Sequence, residues 1–140
     1  TLPQPRMAAR VLGHDAIEQQ IINIFNSGSM PHAMIFSGVN GIGKSTFAWR
    51  LIKFLMTAPA PGQGDDAGPS LFGDPLPQVL PENFSSPPDH PAIRLIYSGG
   101  HPDLLALERQ YDDEKGRFRD LIDVDQVRKV PSFMQMTPSM

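Results

Sequence analysis

The stretch Ser37-Gly38-Val39-Asn40-Gly41-Ile42-Gly43-Lys44-Ser45-Thr46-Phe47-Ala48-Trp49-Arg50-Leu51-Ile52-Lys53-Phe54-Leu55 decides how the rest of the chain is read. Its first part, Gly38 to Ser45, matches the spacing G-x-x-x-x-G-K-[ST] at every position. The glycines allow backbone angles that a Cβ would forbid, so successive N–H groups can turn inward around a phosphate. A helix starting at Lys44 adds its unsatisfied N–H groups and the positive end of its dipole. Lys44 is placed to reach β- and γ-phosphate oxygens, and the Ser45 hydroxyl to ligate Mg²⁺. The expected nucleotide-binding set is Gly38, Asn40, Gly41, Ile42, Gly43, Lys44, Ser45 and Thr46, with ATP and Mg²⁺ as the ligand.

The flanks fit that reading. Ala33-Met34-Ile35-Phe36 is a short apolar run that reads as a buried strand leading into the loop. Phe47, Ala48, Leu51, Ile52 and Leu55 mark one face of a helix behind it. Trp49, on the same helix, is expected to pack rather than recognise a ligand. Upstream, Ile17, Ile21, Ile24 and Phe25 share a helical face, which predicts a helix from about Ala16 to Phe25. Asp15 followed by Glu18 resembles a capping box at its start.

Beyond this region the composition changes. Between Ala58 and Pro91 stand nine of the fifteen prolines and four glycines. Proline lacks an N–H and fixes φ, so the zone resists both helix and central strand. It reads as a long loop or insertion. Apolar patterning returns from Ala92. Leu104-Leu105-Ala106-Leu107 reads as a second strand. Asp123 and Gln126 again suggest a capping box, ahead of Val124, Val127 and Val130, and Pro131 should stop or kink that helix.

The totals narrow the classes. A chain of 140 residues is about one domain. A net charge of −3 argues against a strongly basic nucleic-acid binder. Without cysteine there is no disulfide framework, thiol nucleophile or Cys-based zinc site. His90 and His101 have no partner pattern for a metal and read as solvated or capping side chains, so no zinc is expected. His32 reads as structural. No apolar run approaches the roughly 20 residues that span a bilayer, and the first residues lack the apolar core of a signal peptide, so the expected compartment is the cytoplasm.

Nucleotide hydrolysis needs a second acid at the end of another strand. Glu108, after Leu104–Leu107, has that form; the simpler reading is a neighbouring strand ending in a solvated Glu. Arg117, Arg119, Arg128 and Lys129 could face phosphates, but Asp120, Asp123 and Asp125 lie among them, which favours a solvated surface.

Several segments together resemble the N-terminal part of a bacterial clamp loader ATPase module, most of all the delta-prime subunits of DNA polymerase III. Val11-Leu12-Gly13-His14 is similar to the family's opening V-x-G-H. Met30-Pro31-His32-Ala33-Met34-Ile35-Phe36-Ser37-Gly38 is similar to its strand before the loop. His101-Pro102-Asp103-Leu104 resembles its H-P-D-[LY] segment, and Ile122-Asp123-Val124-Asp125-Gln126-Val127-Arg128 its I-x-V-D-x-[VI]-R segment. The resemblance spans nearly the whole chain outside the Pro-rich zone.

It implies an α/β fold of the P-loop NTPase, AAA+-like kind: a parallel sheet with flanking helices, incomplete here. Residues 1–140 would be the N-terminal part of such a domain, with the insertion at 58–91, truncated before the Walker B strand. It also implies that Val11, Leu12 and Gly13 lie near the adenine. The implied partners are the other clamp loader subunits and, through the complex, the sliding clamp and primed DNA. Direct DNA binding by this chain is not expected, and neither is turnover by this chain alone. The family's four-cysteine zinc module is missing, and Pro131 departs from the usual helix. Two other functions stay open: an independent small P-loop kinase or NTPase using Glu108, and a non-enzymatic module that keeps the loop as scaffold.

Overall fold

The computed structural model describes residues 4–59 and 80–139. The chain divides into two compact units, the first ending at Tyr97 and the second beginning at Ser98. Most of the Pro-rich zone read as an insertion lies outside the described residues.

The first unit is built on two helices, α1 (Asp15–Asn26) and α2 (Lys44–Thr57). α1 buries Ile21, Ile22 and Phe25; α2 buries Phe47, Leu51 and Phe54. These positions fall three and four apart, so each helix presents one apolar stripe to the other's residues. Phe84, which lies inside the stretch 58–91 read as an insertion, completes the cluster, so the last part of that stretch belongs to the core of this unit. Its ring lies 5.4 Å from Phe54 and 5.5 Å from Phe47, while Phe25 meets Phe54 edge-on at 4.9 Å. Edge and offset ring contacts of this kind add to the gain from burial alone. The buried face of α2 is thus rotated from the one expected. Phe54 is fully buried, whereas Leu55 is more than a third exposed.

Trp49 is buried, with the Arg6 guanidinium 4.7 Å over its ring, a packing arrangement. A third helix, α3 (Pro91–Ser98), was not anticipated from the sequence. Its pattern is nevertheless plain: Pro91 occupies the first turn, where a missing N–H is harmless, and Ala92, Ile93 and Ile96 form its buried side.

The capping box expected at the start of α1 does not form. His14 is the N-cap residue and offers no side-chain cap, and its carbonyl accepts the first helical bond from Glu18 N–H. The Glu18 carboxylate instead turns inward, held by Arg50 at 2.7 and 3.2 Å, and accepts the Phe84 N–H at 2.6 Å. A buried guanidinium from α2 outcompetes the local cap, because the carboxylate leaves water only if its charge is paired.

The second unit holds a two-stranded antiparallel hairpin, β1 (Tyr111–Asp112) and β2 (Arg117–Phe118), and two short helices, α4 (Val124–Val127) and α5 (Lys129–Met134). The hairpin turns at Gly116, whose φ of +62° suits glycine. Asp123 caps α4 as expected, accepting the Asp125 N–H at 3.2 Å. Gln126 does not complete the box; among the described residues its buried Oε1 has no hydrogen-bond partner. The helix is interrupted at Arg128, and Pro131 sits in the first turn of α5, where proline is tolerated.

Neither apolar run read as a strand, 33–36 or 104–107, pairs with another strand; among the described residues the hairpin is the sheet. Among the same residues no helix is long and apolar enough to cross a membrane.

Candidate nucleotide site

The loop Gly38–Gly43 leads directly into α2, so the motif and the helix form as one piece of local structure. Gly43 is the N-cap of α2, with φ +94°. A methyl group there would also meet Val11 Cγ2 at 3.0 Å. The backbone angle favours glycine at this position, and an added methyl would also press on the Val11 side chain. The Gly43 carbonyl accepts the first helical bond from Phe47 N–H at 2.9 Å. The N–H groups of Lys44, Ser45 and Thr46 precede that bond and are not used by the helical ladder. They are the donors a phosphate would need.

Lys44 curls back over the loop. Its Nζ donates to the carbonyls of Gly38 at 2.9 Å and Val39 at 2.8 Å. The ammonium is therefore held beside the loop's own backbone, at the place where charge on an anion would be met. Asn40, Gly41, Ile42 and Ser45 are exposed, and Thr46 is half-buried.

One element of the site was not foreseen. His14, 28 residues before Ile42, places its Nε2 2.7 Å from the Ile42 carbonyl oxygen. Its ring also meets Phe47 edge-on at 5.8 Å. Val11, from the same segment, packs against both Gly43 and the core. No local spacing rule links His14 to the loop, since the contact depends on how α1 and α2 pack. Leu12, by contrast, is almost fully exposed.

Next to the loop lies a cavity of about 510 Å³. Ile17, Ile24, Met34, Ile35 and Phe36 make much of its wall, and Ile42, Lys44 and His14 join it to the loop. No carboxylate stands among its lining residues. Ile35 is 93% exposed, so the run read as a buried strand is open to solvent here, with only Phe36 partly covered against Phe47.

The remaining candidates have mundane surroundings. His90 Nδ1 accepts the Ala92 N–H at 3.2 Å at the start of α3, and the buried His101 Nδ1 accepts the Asp103 N–H at 3.1 Å in a turn. His32 and Glu108 are exposed. Arg117, Arg119 and Arg128 face Asp120, Asp123 and Asp125 across exposed ion pairs of 3.3 to 3.7 Å. Lys53, on α2, is buried and donates to the Ala8 carbonyl at 2.8 Å. Burial, and secondarily the neighbouring Arg50 charge, lower its pKa from the usual lysine value.

Comparison of the chain with protein-family models, with curated proteins and with solved structures finds no match.

Proposed function

We propose that the first unit binds the phosphates of ATP, with Mg²⁺, through Gly38–Thr46, and that the chain serves as the nucleotide-binding portion of a clamp loader subunit similar to the delta-prime subunits. The observation that carries the nucleotide part is the junction itself. A full G-x-x-x-x-G-K-S loop ends on a left-handed Gly43, three uncommitted helix N–H groups follow, and Lys44 Nζ lies over the loop carbonyls. In this reading the backbone N–H groups and Lys44 hold the phosphates, and Ser45 holds the metal that neutralises them. The clamp loader part rests on the ordered segments from Val11 to Arg128 and on their resemblance to that family.

The proposed fold follows the same line. Met34 and Ile35 leave apolar surface open beside the cavity. That surface suits a run that becomes a strand of a parallel α/β sheet once neighbouring strands cover it. A cytoplasmic setting, partnership with other clamp loader subunits, and contact with clamp and primed DNA only through the complex belong to the same proposal. Hydrolysis is no part of this proposal.

A second reading draws on the same lysine contacts. The Gly38 and Val39 carbonyls already take two of the three hydrogens of the Lys44 ammonium, contacts that would hold the loop as a scaffold without a ligand. Titration calorimetry with Mg-ATP and Mg-ADP, beside Lys44→Ala, separates the two. Binding that the substitution abolishes supports the nucleotide site, and a folded chain that binds neither nucleotide supports the scaffold.

A further inference from the structure

We infer that His14 is a positioning residue of the loop: its Nε2–H donates to the Ile42 carbonyl and thereby fixes the direction of the Gly43 N–H. The inference rests on the nucleotide reading above and adds to it a residue outside the motif.

The geometry starts from the peptide plane. In a trans peptide the C=O of one residue and the N–H of the next point in opposite directions. Tying the Ile42 oxygen to His14 at 2.7 Å therefore turns the Gly43 N–H away from the imidazole. The next peptide is tied as well, because the Gly43 carbonyl accepts from Phe47 N–H at 2.9 Å. Gly43 is thus held at both of its peptides, at a φ of +94° that a free glycine would share with many others. Val11 closes the remaining space, with Cγ2 at 3.0 Å from where a Cβ would stand.

His14 itself is anchored. It is the N-cap of α1, its carbonyl takes the Glu18 N–H at 3.0 Å, and its ring rests edge-on against the buried Phe47. The loop is therefore referenced to α1 as well as to α2. A loop amide already turned toward its ligand loses less freedom when an anion arrives, which raises affinity without adding a contact.

The test compares wild type, His14→Leu, His14→Gln and Lys44→Ala for Mg-ATP affinity by calorimetry, with melting temperatures alongside. Leucine keeps the contact with Phe47 and removes the donor. Glutamine restores an N–H at similar reach. The expected result is affinity weakened roughly three- to tenfold by leucine, recovered to within about twofold by glutamine, with melting temperatures unchanged. Leucine binding as tightly as wild type, or glutamine binding as weakly as leucine, overturns the inference while leaving the nucleotide site standing. No Mg-ATP binding by wild type overturns the nucleotide reading and this one with it. Should the leucine variant fail to fold, ¹⁵N-resolved NMR of the wild-type imidazole decides. A proton on Nε2 supports the bond, and a proton on Nδ1 alone excludes it.

Discussion

Lys44 and Gly43 are adjacent in sequence but constrained by different forces. Lys44 is held by two carbonyls of its own loop, Gly43 by a backbone angle and by Val11. Replacing Gly43 with alanine should destabilise the first unit by about 1–2 kcal/mol from the left-handed angle alone, more if Val11 does not yield; thermal denaturation of the variant measures it. Lys53 makes a different prediction. Its buried ammonium has a lowered pKa, so between that value and 10.5 the unfolded chain binds the proton more readily than the folded one. Stability contributed at this position therefore rises with pH across that window and is least below it. Wild type should gain on Lys53→Met as pH is raised toward 10.5. Melting temperatures of the two, taken over the alkaline range, give the comparison, and a constant difference would contradict it.

At the scale of elements, what could be read from the sequence was what the chain encodes locally. The two helices α1 and α2, the loop between Gly38 and Ser45, and the cap at Asp123 follow from spacing and turn chemistry within a few residues, whereas the buried faces are turned toward Ile22 and Phe54 and leave Ile17 and Leu55 exposed. α3 was equally legible, in Pro91 followed by Ala92, Ile93 and Ile96, but the prolines before it hid the pattern. Glu18 could not be read, because its partners Arg50 and Phe84 are 32 and 66 residues away. The same holds for His14 and Ile42.

Glu18 is the tie between α1, α2 and the returning segment at Phe84. Glu18→Ala should therefore cost about 3 kcal/mol, since it strands a largely buried guanidinium. Replacing Glu18 and Arg50 together by methionine should cost less than Glu18→Ala. Urea denaturation midpoints test this, and additive losses would show that the pair is not coupled.

For the whole molecule, the helices and the loop are in place, while the parallel sheet stays a proposal. A helix closes its hydrogen bonds within itself, but a strand exists only with a partner. Ala33–Phe36 and Leu104–Leu107 have the composition of strands, and neither is paired among the described residues. Ile35 is exposed beside the cavity, so this run leaves apolar surface open in the first unit. The loop does not share this dependence, because its geometry is set by α2, Val11 and His14 within the first unit.

The central claim is that this loop holds nucleotide phosphate. Titration calorimetry of the chain with Mg-ATP, beside Lys44→Ala, tests it most directly. The expected result is saturable binding by wild type with one site per chain, lost in the alanine variant although its melting temperature is retained. A wild-type chain that melts cooperatively yet shows no heat of binding, or a Lys44→Ala chain that binds as well as wild type, would contradict it.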